Sequence, residues 1–185
     1  MDEQGVLLVC IYMDDVIYMG SFQTLINYFK EGTKKTFEMT DLGKLQYFLG
    51  LESTQTKHGV FISQQRYAKN LLKKFNMQEC NVVSTSVNAK EKLHAVDGSG
   101  SAEAKRYRSL IGGLHYLSHT RLDIMYAVGL VSRFMSNPSK HHLEAAKRIL
   151  RYIAGTLNYG LWFKASVDVH LIGYTDSDWA SSSDD

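Results

Sequence analysis

Apolar residues near the start of the chain form two short runs that flank an acidic pair. The first run is Val6–Tyr12 and the second is Val16–Met19, with Met13-Asp14-Asp15 between them. Both runs are short and contain β-branched residues, so they predict a β-hairpin with an acidic tip. An amphipathic helix is predicted next, with Ser21 as a candidate N-cap. Its apolar positions follow the i, i+3, i+4, i+7 spacing and are Phe22, Leu25, Ile26 and Phe29.

The pattern between residues 47 and 103 predicts two strands, a helix and a polar segment. The strands are Tyr47–Glu52 and Gly59–Ser63, and Ser63 is a candidate N-cap for the helix that follows. The apolar residues of this helix are Tyr67, Leu71, Leu72 and Phe75. Residues 78–103 are polar and contain Asp97-Gly98-Ser99-Gly100-Ser101, which is typical of a linker.

Three further helices and two short strands are predicted in the rest of the chain. The second helix ends at Asn137-Pro138, because the residue before a proline disfavours helical geometry, and the third runs from near Ser139 to Gly155. The apolar positions are Tyr107, Leu110, Ile111, Leu114 and Leu117; Ile124, Ala127, Val128, Val131 and Met135; and Leu143, Ala146, Ile149, Leu150 and Ile153. The strands are Leu161–Phe163 and Leu171–Thr175.

The sequence also predicts whether several residues of these helices lie in the core or at the surface. Gly112 and Gly113 lie inside the first of the three helices, where each glycine costs about 1 kcal/mol relative to alanine, so we expect close helix packing there. His141 and His142 are interpreted as surface residues. Four tyrosines beside the apolar stripes are interpreted as core residues rather than base-stacking platforms: Tyr107, Tyr116, Tyr126 and Tyr152.

Composition and charge restrict the class of protein. The chain has 185 residues, of which 44% are hydrophobic and 22% charged, as is typical of a folded globular protein. The formal net charge is only +2, so a nucleic-acid surface would need local basic clusters. Two cysteines, Cys10 and Cys80, exclude a disulfide scaffold and favour an intracellular location, cytoplasmic or nuclear. No apolar run approaches the roughly 18 residues of a membrane span, so no membrane partner is expected.

The pair Asp14-Asp15 is the clearest candidate for chemistry. Two ionised carboxylates among apolar strands are costly unless a counter-ion compensates them. Mg²⁺ would do so, because it prefers hard oxygen ligands and is often held by one or two carboxylates together with substrate phosphates. The pattern alone favours the simpler alternative, in which both are solvated turn residues.

Motifs along the chain carry a family resemblance. Tyr12-Met13-Asp14-Asp15 between two apolar strands resembles the catalytic hairpin of reverse transcriptases. Further blocks resemble copia-type retrotransposon Pol polyproteins, in the family's order and over nearly the whole chain. They are Asp41–Glu52, Gly59–Gln64 with Tyr67-Ala68, Tyr107–Leu114 with Tyr116-Leu117, Thr120–Val128, Ala146–Ile153 with Gly155-Thr156, and Gly173–Ala180. The tetrapeptide alone is a weak signal, whereas the ordered set is highly specific.

The resemblance implies an RNA-directed DNA polymerase with a two-metal mechanism, acting on an RNA or DNA template–primer and a dNTP. Asp14 would be a metal-binding carboxylate of the polymerase palm, with Mg²⁺ as the cofactor, and Asp15 would support it. Tyr12 would pack near the template–primer and Met13 under the primer terminus. The residues that match the family's primer-grip hairpin, where a glycine would let nucleic acid approach closely, are Phe48, Leu49 and Gly50.

A cluster of basic residues lies on the helix after Ser63. These residues, with no acidic residue between them, are Arg66, Lys69, Lys73 and Lys74. By resemblance, this helix would belong to a thumb that binds the backbone phosphates of the duplex. The alternative, a solvated lysine-rich helix face, fits the pattern equally well.

We expect an α+β fold with three regions. Residues 1–65 would form the C-terminal part of the palm with its primer-grip-like hairpin. Residues 66–155 would form a helical thumb-like region that includes the polar linker 78–103. Residues 156–185 would be the truncated start of a ribonuclease H domain, with Asp176 as a metal-binding carboxylate of that site.

The family's fingers and the first half of its palm would precede Gly5 and supply another catalytic carboxylate. We therefore expect the chain alone to be inactive and to need this N-terminal polymerase half as a partner. The alternative is a catalytically inactive retroelement remnant with weak, non-specific nucleic-acid binding. A metal-dependent hydrolase unrelated to polymerases is a third, more distant hypothesis.

Overall fold

The computed structural model describes residues 5–88, 92–165 and 172–175, which divide into two compact units with a boundary between Gln46 and Tyr47. The first unit contains strands β1 (Leu7–Tyr12) and β2 (Asp15–Gly20) and helix α1 (Gln23–Thr36). The second contains β3 (Tyr47–Phe48), β4 (Leu51–Thr56), β5 (Gly59–Ser63), α2 (Gln65–Lys74), α3 (Ala104–Ser118), α4 (Met125–Ser132), α5 (Lys140–Gly155) and β6 (Leu161–Lys164). Helices combined with two small antiparallel sheets confirm the mixed α and β composition.

The first unit consists of the predicted hairpin and a helix packed on one of its faces. The antiparallel ladder between β1 and β2 joins six residue pairs. On the covered face, the rings of Tyr18 and of Phe29 from α1 have their centroids 5.2 Å apart. On the other face, Leu8 and Met19 remain 59% and 62% exposed. The hairpin therefore has one packed face and one apolar face that the described residues of this unit leave open.

The two serines predicted to cap helices have other roles. Phe22 is the N-cap of α1, and the Ser21 hydroxyl oxygen instead accepts the backbone N–H of Val6 at 3.1 Å, which closes the open end of the hairpin. Ser63 is the last residue of β5, and α2 begins after Gln64 without a side-chain cap. Both capping predictions are wrong, because each serine still belongs to the hairpin that precedes its helix.

The sheet of the second unit has the order β3–β4–β5–β6 and is antiparallel throughout. The single strand predicted at Tyr47–Glu52 is wrong, since Leu49 and Gly50 adopt positive φ angles of 47° and 80° and form a turn between β3 and β4. The strand predicted at Leu161–Phe163 is confirmed as β6, and it pairs with β5 through Ile62 opposite Leu161.

The four helices of the second unit bury the apolar faces that the spacing predicts. In α2, Ala68, Leu71 and Leu72 are at most 4% exposed. The apolar side chains at most 1% exposed in α3, α4, α5 and the turn before α4 are Tyr107, Leu110, Ile111, Leu114, Leu117, Ile124, Val128, Ile149, Leu150 and Ile153, together with Ala127 and Ala146. Tyr107 is therefore a core residue as predicted, whereas Tyr116 and Tyr126 are 36% and 73% exposed, so the prediction is wrong for both. Within the described residues, no helix combines the length and apolar character needed to cross a bilayer.

Residues 97–102 of the polar segment are held against the start of α5. The helix starts near Ser139 as predicted, and Ser139 also caps it, since its hydroxyl oxygen accepts the backbone N–H of His142 at 3.2 Å and its own N–H donates to His142 Nδ1 at 3.0 Å. The Ser139 hydroxyl donates to Asp97 of the polar segment. His142 is fully buried and its ring stacks on Phe134 at 3.8 Å between centroids, so its interpretation as a surface residue is wrong.

Of the strand predicted at Leu171–Thr175, residues 172–175 have no regular secondary structure, and Leu171 lies outside the described residues.

Candidate functional site

The acidic tip of the β1–β2 hairpin is a two-residue turn. Tyr12 and Asp15 form the last pair of the ladder, so Met13 and Asp14 make the turn. Met13 has a φ of 52°, which is the left-handed region that side chains other than glycine seldom adopt. Such a residue costs about 1–3 kcal/mol and is typical of functional sites, where the surrounding structure maintains it. All four residues are exposed, and Met13 is 82% exposed.

The two carboxylates at this tip are accessible. Asp14 lies in the turn, and Asp15 is the first residue of β2. Because side chains alternate along a strand, Asp15 lies on the face opposite to that of Tyr18, and this is the face that α1 leaves open. Neither carboxylate has a hydrogen bond or ion pair with another described residue. Two hard-oxygen donors with free lone pairs fit part of a Mg²⁺ coordination shell, whose remaining ligands are commonly water and phosphate oxygens.

The number of donors limits what the tip can hold. Among residues 5–88, 92–165 and 172–175, no group of three or more His, Cys, Asp or Glu side chains is placed to bind a metal ion. The hairpin therefore offers two carboxylates, and a complete two-metal site would need ligands from outside the described residues.

The predicted primer-grip residues form the turn between β3 and β4. Phe48 is half-buried at the end of β3, and Leu49 is 47% exposed at the turn. The backbone carbonyl of Leu49 accepts a hydrogen bond from the Tyr116 hydroxyl of α3. A Cβ atom at Gly50 would lie 2.5 Å from that hydroxyl oxygen. Glycine is therefore favoured here by its φ of 80° and by the close approach of Tyr116, independently of any nucleic acid.

The four basic residues of α2 have different surroundings. The backbone N–H of Arg66 donates to Glu52 Oε1 at 2.7 Å, and Arg66 Nε lies 3.7 Å from Glu52 Oε2. Lys74 Nζ donates to Ser109 Oγ on α3 at 2.8 Å. The remaining pair, Lys69 and Lys73, is exposed and has no ion pair with any described residue.

Sequence reasoning did not identify the partners that fix these residues. The Arg66 guanidinium also lies over the ring of Tyr47, 5.5 Å from its centroid, so β3, β4 and α2 are joined at one point. Glu52 precedes Arg66 by 14 residues and Tyr116 follows Leu49 by 67. No local periodicity relates positions at such separations, so these contacts have no sequence signal.

The structure brings some predicted site residues together. The β3–β4 turn and the basic face of α2 belong to the second unit, where Glu52 and Arg66 connect them. The acidic tip belongs to the first unit. Asp176, the predicted ribonuclease H carboxylate, lies outside the described residues.

Comparisons with known proteins identify relatives of the chain. The family model described as reverse transcriptase (RNA-dependent DNA polymerase) matches residues 1–89. The chain is 37% identical over 182 residues to the retrovirus-related Pol polyprotein from transposon RE1 of Arabidopsis thaliana, an alignment that covers 98% of the chain and 12% of the relative. It is 38% identical over 191 residues to the retrovirus-related Pol polyprotein from transposon TNT 1-94 of Nicotiana tabacum, an alignment that covers 98% of the chain and 14% of the relative.

For a shorter relative, the alignment with the chain covers a larger share of the relative. The chain is 35% identical over 174 residues to an uncharacterized mitochondrial protein of Arabidopsis thaliana, which covers 94% of the chain and 72% of that protein. No solved structure matches the chain. The chain thus spans about an eighth of the length of the Pol polyproteins that it resembles.

Proposed function

The chain belongs to the reverse transcriptase family of copia-type retrotransposon Pol polyproteins, and we propose that it supplies the catalytic hairpin and part of the primer–template surface of an RNA-directed DNA polymerase. In this proposal residues 1–65 are the C-terminal part of the palm and residues 66–155 a thumb-like region. Residues 156–185 are the start of a ribonuclease H domain. The observation that carries the proposal is the hairpin tip, where two exposed carboxylates directly follow the strained residue Met13.

We propose that Asp14 and Asp15 hold Mg²⁺. When bound, the metal would activate the primer 3′-hydroxyl and stabilise the leaving pyrophosphate of the dNTP. The ladder of six residue pairs keeps the two carboxylates at a fixed position, and the absence of side-chain partners among the described residues leaves their oxygens available. Further carboxylates and the dNTP-binding surface would come from a polymerase segment outside this chain.

The basic face of α2 is proposed to bind backbone phosphates of the template–primer. Lys69 and Lys73 are separated by one helical turn and carry charges that no described acidic side chain neutralises. Arg66 contributes less, because Glu52 compensates its charge and orients it toward Tyr47. The proposal therefore assigns phosphate binding chiefly to the two lysines, and it predicts a small electrostatic contribution.

Salt-dependent binding to a DNA primer–template tests this assignment. The logarithm of the affinity should fall with the logarithm of salt concentration, with a slope of about 0.9 for each phosphate that the protein neutralises. The double substitution Lys69→Gln and Lys73→Gln should lower that slope by about 1.8. Arg66→Gln should lower it by clearly less than one lysine does, because Glu52 already compensates the arginine.

Lys57→Gln is the matched control, since Lys57 is an exposed lysine in the β4–β5 turn. Its slope should equal that of the wild-type chain. A double variant that binds with the control's slope would contradict the role of α2. Weak binding with the same affinity for nucleic acid with and without a primer end would favour the alternative of an inactive retroelement chain with non-specific affinity.

A further inference from the structure

The β3–β4 turn is attached to α3 by one side chain. The Tyr116 hydroxyl donates to the carbonyl oxygen of Leu49, and the missing Cβ of Gly50 leaves room for that hydroxyl. We propose that Tyr116 is a positioning residue that holds this turn in the conformation in which it meets the primer end. This inference rests on the proposed function, because the role of the turn comes from that proposal.

The turn depends on an external contact because its own strand pairing is short. β3 has two residues, and its ladder with β4 consists of the pairs Tyr47 with Glu52 and Phe48 with Leu51. Leu49 has a φ of 47°, a conformation in which its Cβ is crowded, so the isolated turn would relax toward other geometries. A hydrogen bond to the Leu49 carbonyl fixes the peptide that joins the two turn residues.

Tyr116 is itself held in place, so it can transmit a fixed geometry to the turn. Its ring packs edge-on against Tyr67 of α2, with the centroids 4.6 Å apart. The Tyr67 hydroxyl donates to the backbone carbonyl of Gly113, one turn earlier on α3, at 3.2 Å. Two tyrosines from neighbouring helices thus brace each other, and of their two hydroxyls the one on Tyr116 reaches the hairpin.

The opposite side of the hairpin is fixed as well. Glu52 on β4 accepts the Arg66 backbone N–H, and the Arg66 guanidinium covers the ring of Tyr47 on β3. The strands are therefore tied to α2, and the turn is tied to α3. Because the first attachment does not involve Leu49 or Gly50, loss of the Tyr116 hydroxyl should affect the turn and leave the strands in place.

Tyr116→Phe tests the inference, because it removes the hydroxyl and retains the ring contact with Tyr67. Amide hydrogen exchange of residues 48–51 should become faster in this variant, while the thermal unfolding temperature changes little. Tyr126→Phe is the control, since Tyr126 is 73% exposed on α4. This measurement needs no nucleic acid, and unchanged exchange at residues 48–51 would overturn the inference directly.

Binding then tests the functional part. Affinity is compared for two DNA duplexes of equal length, one with a recessed primer 3′ end and one with blunt ends. The wild-type chain should prefer the recessed end, and Tyr116→Phe should weaken binding to it by about fivefold, the worth of one hydrogen bond. Binding to the blunt duplex and the salt slope should stay unchanged, whereas general loss of structure would lower both affinities.

A double substitution provides a rescue. Alanine at position 50 places its Cβ against the Tyr116 hydroxyl, but the nearest ring carbon lies at an ordinary 3.4 Å. Gly50→Ala combined with Tyr116→Phe should therefore bind the recessed-end duplex no more weakly than Gly50→Ala alone. Strictly additive losses would overturn the inference, as would a preference for recessed ends that survives Tyr116→Phe. If the wild-type chain binds neither duplex, the proposed function fails and the positioning role fails with it, even where hydrogen exchange confirms the contact.

Discussion

Alanine at Gly112 should stabilise the protein, whereas the same substitution at the neighbouring Gly113 should destabilise it. Both glycines lie inside α3. A methyl group at Gly112 would meet no atom within 4 Å, because this position faces solvent. At Gly113 it would lie 2.5 Å from Leu71 Cδ1 on α2. Leu71 is only 4% exposed, so it cannot move aside without disturbing the core.

The expected magnitudes follow from helix propensity and packing. Alanine is favoured over glycine in a helix interior by about 1 kcal/mol, so Gly112→Ala should raise the free energy of unfolding by that amount. Gly113→Ala gains the same propensity but overpacks the α2–α3 contact, which costs about 1–3 kcal/mol. Its net effect is a loss of up to about 2 kcal/mol. The difference between the two variants isolates the cost of the contact with Leu71.

Urea unfolding followed by far-UV circular dichroism measures both free energies. Because the two positions are adjacent on one helix, contributions from the first unit cancel in the comparison. Gly112→Ala should raise the urea midpoint and Gly113→Ala should lower it, with similar dependence on denaturant. A Gly113→Ala variant that is as stabilised as Gly112→Ala would refute the argument, since it would show that close packing does not require this glycine.

Two further measurements concern the acidic tip and the buried histidine. Mn²⁺, a paramagnetic substitute for Mg²⁺, should broaden the amide NMR signals around Asp14 selectively, and equal broadening in Asp14→Asn would contradict the metal assignment. The free energy of unfolding should fall as the pH drops from about 8 to 5, because burial lowers the pKa of His142 below its ordinary 6.5 and the unfolded chain takes up the proton first. A second loss should follow below about pH 4, since hydrogen bonds from Ser139 and Ser99 hold the pKa of Asp97 well below its usual range. If the urea midpoint of His142→Gln falls between pH 8 and 5 by as much as that of the wild-type chain, the role assigned to His142 is contradicted.

Apolar spacing predicts the helices of this protein well because burial and spacing have the same physical origin. Leu110, Ile111 and Leu114 recur on one side of α3, and each is at most 1% exposed. The same reasoning fails for polar side chains, which can satisfy more than one neighbour. Ser139 caps α5, whereas Ser21, the predicted cap, closes a hairpin, and their local sequences do not distinguish the two outcomes.

In the candidate site too, local sequence patterns indicate some features and miss the contacts that form only on folding. Local charge pattern marks Asp14, Asp15 and the basic face of α2 as candidates, and the family resemblance is what favours a functional role for them. It does not indicate that Glu52 compensates Arg66, because that pairing exists only after β4 and α2 have packed together. The doubled glycine in α3 is a mixed case, since close packing explains Gly113 and leaves Gly112 without a structural reason.

The same kind of backbone strain occurs in both groups of candidate site residues. Within the described residues, three positions other than glycine have positive φ, and two of them, Met13 and Leu49, lie at the turns that the proposal assigns to the primer end. Strained residues persist only where the surroundings determine their conformation. Six residue pairs support Met13, and only two support Leu49. The weaker ladder therefore needs a contact from outside the hairpin, and the Tyr116 hydroxyl is the group that provides it.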